Sequence, residues 1–474
     1  MTARTGLSIP RVVARDELWA ERYRALADRV RARARQAAPV LAGFSACVDH
    51  VRRMDPDRIA ALAAQVTVVG PAGEIATEVM ERLRHGRGGE IALPWPGGTD
   101  WVDTLLGAPD RVQLGGTGPQ AAWALAVLGA PSVVPLADRS AQQLAVLHPD
   151  VTLCTADGTA SAGRLAGADR LADAGRLGGA DRLAGADASG GPGADAPVAR
   201  PGAAKQPHSV LEFAAGTPAP GLPGGLPRSS RIILRFVDDG IERDEWFAAR
   251  SGELARTAAA GLLSGMNGLP EDGTGPADRA WLADVVRAWR DGGLPLLHLE
   301  LAEFASVRAL RAGCEEYAPL ADSVGMSLSE LAALAGPSAR TAPVAAAAQF
   351  ASAYHLDRVC VHADGWVLAV HRGDPTEQRT ALMTGSLLAA ARAARGAPAA
   401  DLEPPPAADY TEDRPADGPL GEGLRADCVP APHLSHPTAT IGLGDTFVGG
   451  LLLARSLHSG CARTRIRKDP DDHA

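Results

Sequence analysis

The apolar positions along the chain change between a helical spacing and the continuous runs typical of buried strands. Trp19, Tyr23, Leu26 and Val30 recur at helical intervals after Asp16, which predicts an N-terminal amphipathic helix capped by that aspartate. Short apolar runs bounded by turn residues predict strands elsewhere. These predicted strands lie at 39–44, 66–69, 132–136, 231–237, 295–301, 358–362 and 366–370.

Helical patterns alternate with these strands along most of the chain. Predicted helices cover 75–83, 121–128, 278–289, 328–335, 380–395 and 446–457. Such alternation favours a mostly parallel sheet whose two faces are covered by helices. The sequence therefore predicts the α/β fold class.

Residues 157–228 depart from this alternation. Near-repeats at 164–169 and 182–187 are followed by a stretch rich in proline and glycine. A segment of this composition buries too little apolar surface to offset the entropy of ordering it. We expect a low-complexity, flexible insertion over 157–228.

Composition and charge exclude several classes of protein. The chain has 474 residues, and 46% of them are hydrophobic, enough for a large core. Its net charge of −9 argues against a nucleic-acid surface, which requires a basic face. Six widely spaced cysteines without a C-x-x-C pair favour reduced thiols. Because neither an export signal nor an apolar run of membrane-spanning length is visible, we expect a cytoplasmic protein without a membrane span.

Candidate chemistry lies near the C-terminal end of the sequence, at 440–450. Gly442 and Gly444 predict a tight turn, and the helix predicted from 446 places that turn at a positive helix end. Asp445 stands where a carboxylate could take a proton from a hydroxyl beside a bound phosphate. The alternative is that Asp445 only caps a core helix.

Taken together with five other stretches, this motif resembles the ADP-dependent sugar kinases, the ADP-specific glucokinase and phosphofructokinase branch of the ribokinase-like fold. The likeness runs from about residue 40 to 450, apart from the predicted insertion. The stretches lie at 43–49, 89–93, 114–116, 298–302, 322–326 with Glu330, and 437–445.

The resemblance implies a ribokinase-like, mostly parallel sheet flanked by helices, with a smaller α/β lid domain. We expect an N-terminal helical segment at 1–40, a kinase domain at 41–450 and a C-terminal helix and tail at 451–474. The lid is expected mainly from about 43–118 and 229–260. The implied reaction transfers the β-phosphoryl group of ADP to a sugar in the cleft between the two domains, with Mg²⁺, and releases AMP.

The resemblance also assigns roles to individual residues. It makes Asp445 the catalytic base and places Gly442 and Gly444 at the phosphates of the nucleotide. A phosphate-binding arginine is expected within 228–235. The remaining assignments are His362 and Leu434 for adenine, Glu300 and Glu330 for the metal, and Asp49, Glu90, Gly115 and Gly116 for the sugar.

Two residues next to these assigned positions depart from the family's pattern, and one of them also admits another interpretation. Ser327 stands where relatives usually have Asn, and Ser327 with Glu330 is also the pattern of a helix capping box. Thr117 stands where relatives often have Asn or Gln. These departures leave open a catalytically weak protein that binds sugar or nucleotide.

The acceptor prediction depends on Glu90. A carboxylate can accept hydrogen bonds from neutral glucose, whereas it would repel a sugar phosphate. Glucose is therefore the predicted acceptor, and an ADP-dependent phosphofructokinase is the alternative. Sugar and ADP are the only partners that the sequence predicts; the oligomeric state is left open and a monomer is compatible with it.

Overall fold

A computed structural model describes residues 9–167, 204–237, 240–268, 275–302, 304 and 306–466. Two sheets of unequal size organise this part of the chain. The strands, in chain order, are β1 (Val40–Ala42), β2 (Cys47–Arg53), β3 (Gly89–Ala92), β4 (Arg111–Gly115), β5 (Ser132–Val134), β6 (Thr152–Thr155), β7 (Gly158–Ser161), β8 (His208–Phe213), β9 (Ser230–Arg235), β10 (Ala260–Leu263), β11 (Leu297–Glu300), β12 (Ser323–Ser327), β13 (Arg358–His362), β14 (Trp366–His371), β15 (Gly418–Gly421) and β16 (Leu424–Pro430).

Helices connect the strands and cover the sheets. In chain order they include α1 (Ile9–Arg33), α2 (Pro56–Ala63), α3 (Pro71–Arg84), α4 (Gly98–Leu106), α5 (Thr117–Ala126), α6 (Ala141–Val146), α7 (Glu245–Thr257), α8 (Pro276–Asp291), α9 (Val307–Tyr317), α10 (Leu328–Ala335), α11 (Pro343–Ala353), α12 (Pro375–Arg395) and α13 (Leu443–Ile466). None of the helices in these described ranges combines the length and apolar character that a bilayer span needs.

The larger sheet has the strand order β15-β16-β14-β13-β12-β11-β10-β1-β5-β6-β7. Its interior, from β13 to β6, is parallel throughout. Antiparallel strands close its edges, with β14, β16 and β15 on one side and β7 on the other. The prediction of a mostly parallel sheet covered by helices is confirmed. Because parallel strands end at one edge, loops that follow β11, β12 and β13 meet there.

The smaller sheet has the order β3-β9-β8-β2-β4 and forms a separate layer. Side chains alternate along β9, so Ile232 and Leu234 are buried against α2, α3 and α4 on one face. The opposite face turns toward the larger sheet, where Val51 and Val210 pack against Ile441. The region between this face and the large domain, where these residues meet, is called the cleft.

The predicted insertion at 157–228 was too wide. Its first residues form β7, and its last part contains β8, whose Val210 and Leu211 are fully buried. β8 pairs with both β2 and β9 at the centre of the smaller sheet. The composition of 157–228 therefore gave no indication that this core strand lies within it. Residues 168–203 lie outside the described residues.

The smaller sheet, the counterpart of the predicted lid, has other bounds than the prediction, because it includes β8 at 208–213 and lacks the part of 229–260 that follows β9. Its strands come from 47–115 and 208–235, whereas α7 and β10 within the predicted 229–260 belong to the large domain. At the two ends, α1 packs against α12 and α13 through Tyr23 and Val30. α13 continues through the predicted boundary at 450 with Leu451 to Leu453 fully buried.

The strand predicted at 66–69 was wrong. These residues form a turn between α2 and α3, and the Val69 side chain is 99% exposed. The Val68 carbonyl closes against Gly73, so closely that a Cβ at this glycine would overlap it. The chain has no room for a strand here because α3 begins at Pro71.

Candidate active site

A glycine turn precedes α13 where the smaller sheet meets the large domain. Gly442 has a φ of +70° and lies against the guanidinium of Arg392, which occupies the space where a Cβ would project. α13 begins at Leu443, earlier than predicted, and Thr446 N donates to Gly442 O at 3.0 Å. Asp445 therefore lies inside the first helical turn and does not cap the helix, which excludes the capping interpretation. Its carboxylate stands at the positive end of a long helix.

Opposing effects set the charge state of Asp445. Burial raises the pKa of this carboxyl group, and the charges of Arg392 and Arg231, with the Thr117 hydroxyl beside it, act to lower it. Glu300 contributes a smaller repulsion that raises the pKa. The net shift is upward, so a carboxylate of increased basicity lies between two cations.

Arg392 is a buried cation behind the glycine turn. Only 2% of it is exposed, and its Nη1 donates to Gln120 Oε1 at 2.7 Å and to Thr446 Oγ1 at 3.0 Å. Burial lowers the pKa of Arg392 to about 10, so it remains charged at neutral pH. Sequence reasoning missed this residue because an arginine inside an alanine-rich helix carries no motif.

A second acidic group lies at the ends of β11 and β13. Glu300, 5% exposed, accepts hydrogen bonds from both neighbouring imidazoles, at 3.0 Å from His298 Nε2 and 3.2 Å from His362 Nε2. Burial opposes ionisation of Glu300, but these two hydrogen bonds outweigh it and its pKa lies below the usual range. Gly325 on β12 leaves the space that both Glu300 and His298 fill.

Glu330 joins this group from the start of α10. Glu330 N donates to Ser327 Oγ at 3.2 Å, and Ser327 N donates to Glu330 Oε2 at 2.6 Å, which is a complete capping box. Burial raises the pKa of Glu330, partly offset by His362, while Glu300 adds repulsion. The capping interpretation is confirmed, and it also fixes the carboxylate beside Glu300 and His362.

The donor set of Glu300 and Glu330 fits a hard divalent cation. Magnesium binds oxygen ligands and usually takes one or two carboxylates, completing its shell with water and phosphate. Glu300 is buried and Glu330 is half-buried, and the ring of His362 lies 5.6 Å from the Phe447 ring at the start of α13. The charges of Glu300, Glu330 and Asp445 together raise the pKa of His362 against the effect of burial. The negative charge that raises the pKa of this imidazole would also attract a metal cation.

The lid wall carries the residues predicted to contact sugar. Asp49 lies on β2 with 5% exposure, and burial raises its pKa while His208 lowers it. Gly115, its near neighbour on β4, leaves space that a Cβ would take from Asp49 and Cys47. Gly116 has a φ of +89°, and a Cβ there would overlap the backbone of Ser45. These glycines are required by close packing at the turn from β4 into α5.

Glu90 lies at the junction between lid and large domain. Its Oε1 accepts a hydrogen bond from Asn267 Nδ2 at 3.1 Å, and its Oε2 is 3.9 Å from Arg235 Nε. Arg235 Nη2 also donates to Asn267 O at 3.2 Å. Glu90 is therefore half-buried in the cleft and faces a cation.

Arg231 links the lid directly to the glycine turn. Its Nη1 donates to Thr440 O at 3.0 Å, just before Gly442, and it lies close enough to Asp445 to lower that residue's pKa. The other two arginines in the predicted range 228–235 are placed differently. Arg228 is exposed and pairs with exposed Asp364, and Arg235 pairs with Glu90.

The known structures that resemble this chain share its architecture. No protein-family model matches the sequence, and no curated protein matches it. An ADP-dependent phosphofructokinase from Pyrococcus horikoshii OT3, described as hypothetical, superposes with a TM-score of 0.65 and 16% identity, covering 89% of this chain and 98% of that one. An ADP-dependent kinase in complex with fructose 6-phosphate and ADPβS superposes with a TM-score of 0.66 and 15% identity, covering 95% of this chain and 99% of that one. The last common ancestor of ADP-dependent phosphofructokinases from Methanosarcinales superposes with a TM-score of 0.62 and 16% identity, covering 93% of this chain and 98% of that one.

The chain has the fold of the ADP-dependent phosphofructokinases. At this level of identity the likeness establishes the architecture of the large domain and lid. The ADP-dependent phosphofructokinase fold brings Asp445, Arg392, Glu300, Glu330 and His362 together at one edge of the larger sheet. The lid then faces them with Asp49 and Arg231.

Leu434 is a predicted site residue that the contacts given above do not link to Asp445 or Glu300. It is half-buried in the loop between β16 and α13, one residue after His433, which bridges to Asp409. Within the described ranges, none of the hydrogen-bonded groups above includes Leu434. Its role with adenine stays a prediction from the sequence.

The capping box gives a prediction with an internal control. Ser327→Ala removes the N-cap of α10, and Ser306→Ala removes the equivalent cap of α9, where Ser306 Oγ accepts from Ala309 N at 3.1 Å. Each substitution is expected to lower the free energy of unfolding by about 1 kcal/mol. Alanine keeps the backbone N–H that binds Glu330 Oε2, so Ser327→Ala can shift Glu330 only by loosening the first turn of α10. If Glu330 holds Mg²⁺, Ser327→Ala alone should also raise the Mg²⁺ concentration needed for activity. Denaturant unfolding and a magnesium titration check both parts; an equal metal effect in the two variants would contradict this role.

Proposed function

We propose that this protein is an ADP-dependent sugar kinase with Asp445 as the general base. The observation that carries this proposal is the position of Asp445 in the first turn of α13, between Arg392 and Arg231 and facing the Asp49 wall of the cleft. A base beside an anion-binding helix end is the arrangement that phosphoryl transfer to a hydroxyl requires. The similar solved structures, two of them ADP-dependent phosphofructokinases by name, support the proposal.

The residues divide the work of transfer between proton removal and charge stabilisation. The ionised Asp445 accepts the proton of the acceptor hydroxyl as that oxygen attacks the β-phosphorus of ADP, and the bond from this phosphorus to the bridging oxygen breaks to release AMP. Backbone N–H groups of the turn at Gly442 and Gly444 face the transferring phosphoryl group. Arg231 and Arg392 offset its negative charge from the lid and from beneath the turn.

We assign Glu300 and Glu330 to Mg²⁺. When bound, the metal supplies positive charge to the phosphates of ADP. His298 and Ser327 hold the two carboxylates in place, through hydrogen bonds at 3.0 Å and 2.6 Å. The hydrogen bond from His362 to Glu300 supports the proposal that His362 lies beside the phosphates. Its contact with adenine remains a prediction from the sequence.

A coupled assay for AMP release tests the proposal. Purified protein is supplied with Mg²⁺, a panel of hexoses and hexose phosphates, and ADP or ATP in parallel. AMP formation that requires both ADP and a sugar supports the kinase. If no AMP forms while calorimetry detects sugar or ADP binding, the protein is instead the catalytically weak binding relative.

Glucose is the acceptor that we propose, because Glu90 presents a carboxylate to the cleft. The same charge would repel a sugar phosphate within ~4 Å by roughly 1 kcal/mol even at the dielectric constant of water. Fructose 6-phosphate is the second candidate, and Arg235, 3.9 Å from Glu90, supports it as a cation able to hold a phosphate. One similar kinase was also solved with fructose 6-phosphate.

Substitution of Glu90 separates the two acceptors. Glu90→Ala is expected to raise the KM for glucose about 10- to 100-fold, the effect of losing a hydrogen bond to a charged group. Use of fructose 6-phosphate should improve or stay unchanged. Glu90→Gln is the matched control, since it keeps the hydrogen-bonding shape and removes only the charge. A wild-type protein that uses fructose 6-phosphate better than glucose would overturn the acceptor and leave the kinase standing.

The thiols support the proposed cytoplasmic location. The five cysteines whose side chains are described are all buried and none is in a disulfide. Buried free thiols fit a reducing compartment.

A further inference from the structure

Three side chains of different chemistry meet on the lid wall of the cleft. Cys47 and Asp49 lie two residues apart on β2, so their side chains point to the same face of the sheet. On the neighbouring strand β8, His208 pairs in register with Asp49. Cys47 Sγ lies 3.6 Å from Asp49 Oδ1, and His208 Nδ1 lies 3.9 Å from the same oxygen. One ligand atom from each of the three residues lies within 4.8 Å of the other two.

These distances are close to the spacing of ligands around a tetrahedral metal. With Zn–S bonds of about 2.3 Å and Zn–N or Zn–O bonds of about 2.0 Å, tetrahedral ligand atoms stand roughly 3.3 to 3.5 Å apart. The two separations from Asp49 Oδ1, 3.6 Å to Cys47 Sγ and 3.9 Å to His208 Nδ1, exceed this by at most about 0.6 Å, and the Cys47 and His208 ligand atoms lie within 4.8 Å of each other. Small rotations of the side chains would therefore close the set around an ion.

The chemistry of the set favours a borderline-soft cation over magnesium. Thiolate and imidazole bind zinc and cobalt strongly, whereas Mg²⁺ selects oxygen ligands. All three residues are held on paired strands, and Gly115 leaves the space beside Cys47 and Asp49 open to their side chains. Three protein ligands also leave a fourth position of a tetrahedral metal for water.

We propose that Cys47, Asp49 and His208 form a binding site for Zn²⁺ or a similar transition-metal ion that excludes the acceptor sugar. On binding, the Cys47 thiol loses its proton to solvent and the thiolate becomes a ligand, so binding releases protons and weakens as pH falls. The exclusion of sugar rests on the proposed function, because it follows from Asp49 serving both ligands. The metal site itself does not depend on that function.

Cobalt is the probe that tests the metal site without turnover. Co²⁺ is titrated into the reduced full-length protein, and the sulfur-to-cobalt charge-transfer absorption is recorded. The wild type and Cys428→Ala, which removes a buried cysteine at the edge of the larger sheet, should both show the band. Cys47→Ser should abolish it, because a serine hydroxyl is not a thiolate ligand. His208→Gln should weaken Zn²⁺ binding by more than about 100-fold, since loss of a direct ligand exceeds the effect of losing a supporting residue.

Several results would overturn the proposal. A band that persists in Cys47→Ser, or no band in a wild type shown by circular dichroism to be folded, would exclude Cys47 as a ligand. Zn²⁺ binding by equilibrium dialysis that is unchanged in His208→Gln would exclude the three-residue site. Mg²⁺, added at the same concentration as Co²⁺, should not displace cobalt from this site.

Competition tests the second half of the proposal. Glucose at saturating concentration should raise the apparent Kd for Co²⁺, and Zn²⁺ should raise the KM for glucose without lowering kcat. A cobalt band that depends on Cys47 but is insensitive to any sugar would overturn the exclusion of sugar. If no AMP is ever formed while the band still depends on Cys47, the kinase proposal has failed and the metal site stands.

Discussion

Asp445→Asn is expected to lower turnover by at least ~10²-fold, the low end of the range for loss of a general base. The substitution keeps the size of the side chain and removes its ability to accept a proton at neutral pH. Because the proposed base acts only on the proton that moves during transfer, the KM for sugar and the Kd for ADP should change little. Steady-state kinetics and calorimetry measure the two effects separately.

Asp364→Asn is the matched control for this substitution. Asp364 is exposed, and among its described contacts it pairs only with exposed Arg228. The turnover of the Asp364→Asn variant should therefore equal that of the wild type. Near wild-type turnover in Asp445→Asn would remove Asp445 as the base. A fall in thermal stability alone would be explained by the loss of charge beside buried Arg392.

The pH profile gives a second signature of the same group. The base must be ionised, and burial raises the pKa of Asp445 above its ordinary value of 3.8. Turnover should therefore fall as pH drops through that raised pKa, at a higher pH than an exposed aspartate would produce. This acid limb should disappear from the residual activity of Asp445→Asn.

Arg231→Ala is expected to lower kcat by about 10²- to 10³-fold, the effect of removing one charge-stabilising donor from a transition state. Arg231 reaches from the lid to Thr440 O and acts electrostatically on Asp445. In the proposed mechanism its loss removes positive charge beside the transferring phosphoryl group, and it also removes the hydrogen bond that joins β9 to Thr440. The KM for ADP should therefore rise as well, which rapid kinetics can separate from the change in kcat.

Arg228→Ala is the control within the same predicted range. Arg228 is 69% exposed and lies away from the glycine turn, so its substitution should leave kcat unchanged. Arg231→Lys should recover part of the activity, because lysine restores the charge without the planar guanidinium. A large loss in Arg228→Ala with none in Arg231→Ala would move the phosphate-binding role to Arg228.

Local sequence was sufficient for the elements on which the site stands. The alternation of strand and helix patterns predicted the parallel sheet, and Ser327 with Glu330 predicted the capping box that the structure contains. Gly442 predicted the turn that precedes Asp445, although Gly444, predicted in the same turn, lies within α13. Each of these features depends on residues that are near one another along the chain, so its signal is present in the sequence.

Composition misled where packing decided. The strand β8 lies beside proline- and glycine-rich sequence, and it is ordered because β2 and β9 supply its hydrogen bonds on both sides. The run at 66–69 has strand-forming residues but lies between two helices, without a partner strand. Strand formation depends on neighbours in space, which a local pattern does not reveal.

The sequence by itself determined the α/β class, the glycine turn and the candidate carboxylates Asp445, Glu300 and Glu330. Only the tertiary structure showed that Arg392 lies under the turn, that His362 bonds Glu300, and that His208 meets Cys47 and Asp49. The physical reason is the range of the interactions. Turns and caps are formed by residues a few positions apart, whereas these contacts join residues brought together by sheet pairing and helix packing across the whole chain.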